Sequence, residues 1–280
     1  MKTIGFVDYY ISEWHANNYP QWIKEQCELL GKDFCVKYAW AEEYVSPVDG
    51  RNTDEWCQDF GVEKCESIAE LCEKSDYILV LAPSNPEKHL AYASEVLKYG
   101  KHTYIDKTFS PDYATAEAIF EIARQYGTKF FSTSALRYAA ELEGLENSNA
   151  IITTGGGSNI EEYIVHQTEM VVKTIGAKAQ AVRVEQQGNQ YVCSVAFEND
   201  KKATMVYSPA YGFSICAETA QGESVYKPVT SSFFGNLIAD ILCLYESGES
   251  SFDTQQTLEA MKIREAVVEG KNHLGEWKSI

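Results

Sequence analysis

The strongest constraint on the fold is a change of hydrophobic period along the chain. Up to about residue 137, short apolar runs alternate with stretches whose apolar residues recur at helical spacing. Met1–Val7 (MKTIGFV) reads as a strand, and the following stretch ends as an amphipathic helix closed by Gly31. Asp33–Ala41 is a second strand and Asn52–Phe60 a helix. FGVEKCESIAELCEKSDYILVLAP then supplies a strand-like link, a helix and a strand. A helix ending at Gly100 leads to a short strand, His102–Asp106, and a helix starts at about Pro111 with Ser110 as its N-cap. Lys129–Ser134 closes the series. Parallel strands need a crossover between them, so alternation of this kind predicts an α/β fold with a doubly wound, Rossmann-like parallel sheet.

From Ala179 the period becomes two. Before that, the polar stretch Glu141–Asn149 is a crossing, Ala150–Gly157 a strand, and Asn159–Ile175 a helix stopped by Gly176. AKAQAVRVEQ, QYVCSVAFEN, KATMVYSPA and FSICAETAQ are then strands, with turns at Gly188-Asn189 and Asn199-Asp200. Helices at Ser232–Glu246 and Thr254–Glu269 and a strand at Gly275–Ile280 complete the chain. The prediction is a nucleotide-binding domain over residues 1–140. Residues 141–280 form an α+β domain for substrate and oligomerisation, built on an open antiparallel sheet.

Several polar residues fall where such a fold does chemistry. Lys107 stands just beyond a strand end, at the sheet edge where open α/β sheets bind ligands. It reads either as a proton-transfer group or as a solvated loop lysine. His15, Asn17 and Asn18 crowd the start of the first helix, either donating to a ligand or capping the helix. Glu42 follows the second strand, where an acidic residue bonds a ribose hydroxyl, or is one of two exposed glutamates. Arg137 either clamps an anionic or hydroxylated ligand or pairs with a carboxylate. Glu162, His166 and Glu169 share one helical face.

Composition narrows the partners. A net charge of −17 disfavours nucleic acid and anionic membranes by repulsion. No apolar run is long enough to cross a bilayer, and Met1–Asp8 lacks the pattern of a signal peptide. The eight cysteines lie at irregular spacings without a CxxC pair or a metal-site pattern, as expected of free buried thiols in a cytoplasmic protein.

The segment Asp76–Arg137 resembles the glucose–fructose oxidoreductase/inositol dehydrogenase/MocA family. That family has a strand ending in a proline-bearing loop, a histidine, a helix ending in Gly-Lys, and then Glu-Lys-Pro. The matching residues are Pro83, His89, Gly100-Lys101 and Asp106-Lys107-Thr108, with Thr108 in place of the proline. A second likeness is Glu162 and His166, in place of the family's Asp-x-x-x-His. The resemblance implies an NAD(P)-dependent oxidoreductase acting on a sugar, polyol or related hydroxyl compound. It assigns catalysis to Lys107 and His166 with Glu162 in support, and substrate contacts to Arg137 and Tyr163. Pro83, Ser84, Asn85 and His89 fall at the cofactor NAD or NADP, as do Asp8, Tyr9, Tyr10 and Glu42. It also implies a homo-oligomer, a dimer or tetramer, formed through the C-terminal sheet. The glycine fingerprint is missing: aligned on Ile4-Gly5, the three glycine positions hold Asp8, Tyr10 and Glu13. A carboxylate at Asp8 would repel a pyrophosphate. The competing reading is a non-catalytic ligand-binding or regulatory protein that keeps the fold.

Overall fold

The computed structural model describes all 280 residues, which form two compact units: residues 1–133 with 234–254, and residues 134–233 with 255–280. In chain order, the first unit contributes β1 (Lys2–Tyr10), α1 (Trp14–Leu30), β2 (Phe34–Glu43), α2 (Thr53–Phe60), β3 (Glu63–Lys64), α3 (Ile68–Lys74) and β4 (Tyr77–Val80). It continues with α4 (His89–Val96), β5 (Thr103–Ile105), α5 (Tyr113–Tyr126) and β6 (Phe130–Phe131). Its six strands are all parallel in the order β3-β2-β1-β4-β5-β6, the doubly wound order. Ile4 to Asp8 of β1 are all buried, as a strand covered on both faces requires. Gly5 is needed there because a Cβ would lie 2.4 Å from Ser75 Oγ and 2.5 Å from Leu71 Cδ2.

The second unit opens with β7 (Ala150–Gly155), α6 (Ile160–Ile175), β8 (Ala179–Gln187), β9 (Gln190–Phe197), β10 (Lys202–Tyr207), β11 (Ser214–Glu218) and β12 (Ser224–Pro228). The chain then returns to the first unit as α7 (Phe234–Ser247) and finishes in the second as α8 (Gln255–Gly270) and β13 (Trp277–Ser279). The seven-stranded sheet runs β12-β11-β7-β10-β9-β8-β13. It is mixed rather than purely antiparallel, because β7 and β10 pair in parallel. Ile164, Val171, Ile263 and Val267 of α6 and α8 pack on one side of it. The other side carries a row of directly paired residues: Tyr226, Cys216, Ile152, Thr204, Ser194, Arg183 and Trp277. None of that row is buried, and Tyr226 is 67% and Ile152 49% exposed.

Two boundaries differ from the sequence expectation, and both have local causes. The split lies at residue 133 rather than 140, and α7 belongs with the first unit instead of the second. Side-chain chemistry explains the return: Phe234 stacks on Trp22 at 4.7 Å and meets Trp14 edge-on at 5.1 Å. Tyr245 stacks on Tyr77 at 4.7 Å and donates its hydroxyl to the Ile78 carbonyl at 2.8 Å. The second boundary concerns α5, which starts two residues later than Ser110-Pro111 suggested. Asp112 is the cap, accepting the Thr115 N–H at 2.7 Å.

Candidate functional site

In the first unit the C-terminal ends of β1, β4 and β5 form one polar cluster. β1 delivers Asp8, whose Oδ1 accepts the N–H groups of Tyr9 (2.7 Å) and Ala82 (3.0 Å). Ala82 sits in the left-handed region at φ 59°, turning the chain sharply after β4. The second carboxylate oxygen of Asp8 is buried without a partner. Burial, followed by the neighbouring charge of Glu13, raises the Asp8 carboxyl well above the usual carboxylate range.

Glu13 caps α1. Its two carboxylate oxygens accept the N–H of His15, at 2.7 Å, and the N–H of Ala16. Burial raises its pKa, against the opposing pull of His15. None of the three residues read as candidate caps performs that task. The His15 ring turns inward, stacked on Tyr19 at 5.3 Å with Nδ1 on Asp106. Asn17 Oδ1 accepts the Trp56 indole N–H at 2.8 Å, and the Asn18 amide donates to the Trp14 carbonyl at 2.6 Å. A glutamate at N-cap lay outside the usual cap residues, which is why the sequence did not disclose it.

Asp106 follows β5 and is fully buried. It accepts the Tyr104 hydroxyl at 3.1 Å and the Lys107 N–H at 2.8 Å, besides pairing with His15. Burial pushes its carboxyl upward, but His15 and Lys107 outweigh that and hold it below its ordinary range. These bonds fix the backbone that carries Lys107. The Lys107–Thr108 peptide is cis, and the Thr108 N–H donates to the Pro83 carbonyl at 3.3 Å. The Lys107 side chain is half-buried, and its ammonium makes no hydrogen bond or ion pair within the chain.

The loop after β4 leaves Ser84 exposed and Asn85 half-buried, while Pro83 is buried. His89 is completely buried, with Nδ1 3.0 Å from the Phe109 carbonyl and Nε2 2.5 Å from the Leu81 carbonyl. The buried ring therefore lies between carbonyls of two loops, one of which accepts its N–H. Burial lowers its pKa, partly offset by the two carbonyls. Glu42 is also engaged: Lys88 pairs with it at 2.5 Å and the Tyr92 hydroxyl donates to it at 2.7 Å. The same Lys88 ammonium lies 4.5 Å from the centre of the Tyr9 ring, and Tyr9 and Tyr10 are both half-buried.

In the second unit α6 carries Glu162, Tyr163 and His166. Asn159 caps the helix by accepting the Glu162 N–H at 2.8 Å, and its amide lies 3.4 Å from the Glu162 carboxylate. His166 Nδ1 is 2.6 Å from the Ser134 hydroxyl, and its ring sits 5.6 Å from Tyr163 and 5.7 Å from Phe213. Ser134 was not foreseen; it lies 32 residues away in sequence, and only the fold makes it a partner.

Arg137 settles on the structural alternative. It is buried, with Nε donating to Glu169 Oε2 at 2.8 Å, Nη2 2.8 Å from the same oxygen, and Nη1 donating to Gln256 at 2.6 Å. Those bonds replace the ligand clamp that its position suggested.

Fold and site together define a two-unit protein whose first unit has the sheet order and edge geometry of a nucleotide-binding Rossmann domain. A family model described as "Oxidoreductase family, NAD-binding Rossmann fold" matches residues 43–134. The matched segment contains most of Asp76–Arg137, the stretch that resembles the glucose–fructose oxidoreductase/inositol dehydrogenase/MocA family. The match leaves out residues 1–42, where the glycine fingerprint is lacking.

Solved structures share the whole fold. The myo-inositol dehydrogenase of Lactobacillus casei, in complex with NAD(H) and myo-inositol, superposes with a TM-score of 0.80 at 9% identity, covering 100% of this chain and 96% of that one. The scyllo-inositol dehydrogenase of the same organism gives 0.76 at 13%, covering 99% and 98%. UDP-N-acetylglucosamine 3-dehydrogenase of Acidithiobacillus ferrooxidans gives 0.75 at 11%, covering 96% and 97%. At such identities the likeness is one of fold. No protein of curated function matches by sequence.

The family description implies a nicotinamide dinucleotide, and the turn after β1 does not fit its pyrophosphate as it stands. The N–H groups at the head of α1 that would hold phosphate are taken by Glu13, above the buried carboxylate of Asp8. No group of three or more His, Cys, Asp or Glu side chains is arranged to hold a metal ion, this carboxylate cluster included.

Proposed function

We propose that this protein is an oxidoreductase acting on a hydroxyl group of a sugar, polyol or related compound, with NAD or NADP as redox partner. The observation that carries this reading is Lys107. It is a half-buried cation without an internal partner, held at the C-terminal end of β5 by a backbone that Asp106 fixes. In the family Glu-Lys-Pro motif the lysine is the catalytic residue, and Asp106-Lys107-Thr108 stands in its place. Lys107 would stabilise the charge developing on the reacting hydroxyl, and His166, oriented by Ser134, would take its proton. Glu162, one turn before His166 on the same helix, would support it, and Tyr163 is the candidate substrate contact there. Arg137, bound to Glu169, supports the helix instead. The open face of the second sheet, with Ile152 and Tyr226 exposed, supports self-association as a dimer or tetramer.

The test is a panel of sugars and polyols assayed with NAD and NADP, using the wild type, Lys107→Ala and His166→Ala. Loss of a general acid–base group should lower the rate roughly 10²–10⁴-fold. Full activity in Lys107→Ala would sink the assignment. A second reading has one specific observation in its favour. Glu13 at the head of α1 is what a ligand-binding protein without a dinucleotide would tolerate. Absence of NAD and NADP binding by calorimetry would favour that reading.

A further inference from the structure

We infer that Glu13 is a built-in occupant of the anion site at the head of α1, and that a phosphate-bearing ligand enters there only by displacing it. The inference deepens the oxidoreductase reading, on which it rests for the identity of the dinucleotide. α1 is 17 residues long, and the positive end of its dipole faces the turn after β1. A Rossmann domain leaves the first N–H groups of this helix open, with glycines so that pyrophosphate can approach. Here Glu13 bridges two of them, the N–H groups of His15 and Ala16, in the manner of a bound anion.

The chain is built around that arrangement. Glu13 is only 7% exposed, and Asp8 beside it is 1% exposed with one carboxylate oxygen unpartnered. His15, the residue whose N–H Glu13 holds, is itself anchored to Asp106 through its ring. The occupant is thus seated on a helix end that the cluster keeps rigid. Glu42, expected after the second strand as a ribose contact, is an exposed residue within β2 that pairs with Lys88 and Tyr92. The anion position at the head of α1 is thus filled by a side chain of the chain itself.

Three proteins decide the matter: wild type, Glu13→Ala and Glu13→Ser, each titrated calorimetrically with inorganic pyrophosphate, NAD and NADP. Serine is a strong N-cap, so Glu13→Ser keeps the helix capped while removing the carboxylate, should Glu13→Ala fail to fold. Pyrophosphate and dinucleotide should bind the variants at least tenfold more tightly than the wild type. Equal affinity for NAD in wild type and Glu13→Ser would overturn the inference while leaving the oxidoreductase reading intact. A gain for pyrophosphate, with no binding of NAD or NADP by any protein, would support the inference and defeat the oxidoreductase reading. No gain for any of the three ligands would overturn the inference outright.

Discussion

Removing the Glu169 carboxylate should cost the buried Arg137 side chain two close contacts inside the second unit. The two side chains are only 4% and 3% exposed, so water cannot replace the lost partner. Arg137 would keep its bond to Gln256 at 2.6 Å but lose the Nε–Oε2 bond and the adjacent Nη2 contact, both at 2.8 Å. A charge-assisted hydrogen bond contributes about 1.5–3 kcal/mol, and weakening the pairing of a buried charge adds to that. Glu169→Ala should therefore cost about 3–5 kcal/mol, read from urea unfolding with an unchanged m-value. Replacing both partners, Arg137→Met with Glu169→Leu, should recover most of that loss, because no charge is left to solvate. The double variant should also keep whatever ligand binding the wild type shows. A cost below about 1 kcal/mol for Glu169→Ala would place the pair among weak exposed bridges and refute the burial reasoning. Loss of ligand binding in a stable double variant would restore Arg137 as a ligand contact.

Tyr245→Phe removes one buried hydroxyl bond, 2.8 Å to Ile78, and should cost about 1 kcal/mol in denaturant unfolding; no change would detach α7 from the first unit. Asp8 gives a pH signature. Its folded pKa is raised, chiefly by burial, so its contribution is most favourable at low pH and declines as pH rises from the unfolded value near ~3.9 through the raised folded value. Unfolding of Asp8→Asn followed from acidic to alkaline pH should show a shallower decline than the wild type, and identical pH profiles would contradict the shift. Ile152→Glu places a charge in the open row of the second sheet and should lower the mass found by light scattering; an unchanged oligomer, or a monomeric wild type, would clear that face of a role in assembly.

The periodicities of the sequence carried the architecture. Alternating apolar runs and helical stretches up to residue 137 require crossovers, hence parallel strands, and all six strands of the first sheet are parallel. The place of Lys107 at a strand end was equally legible, because strand ends are local features. What lay beyond reach were choices made by contacts distant in sequence. Arg137 read equally well as a clamp or an ion-pair partner until the fold brought Glu169 and Gln256 to it. His89 matched a cofactor residue by position, and only the fold shows its ring buried between carbonyls of two separate loops. Aromatic stacking on Trp22 and Tyr77 drew α7 back to the first unit, and no local pattern announces a partner some two hundred residues upstream. Sequence showed that the glycines at the first turn were replaced. Only the tertiary structure decided what replaced their function, since whether a carboxylate repels a ligand or caps a helix depends on where its oxygens point.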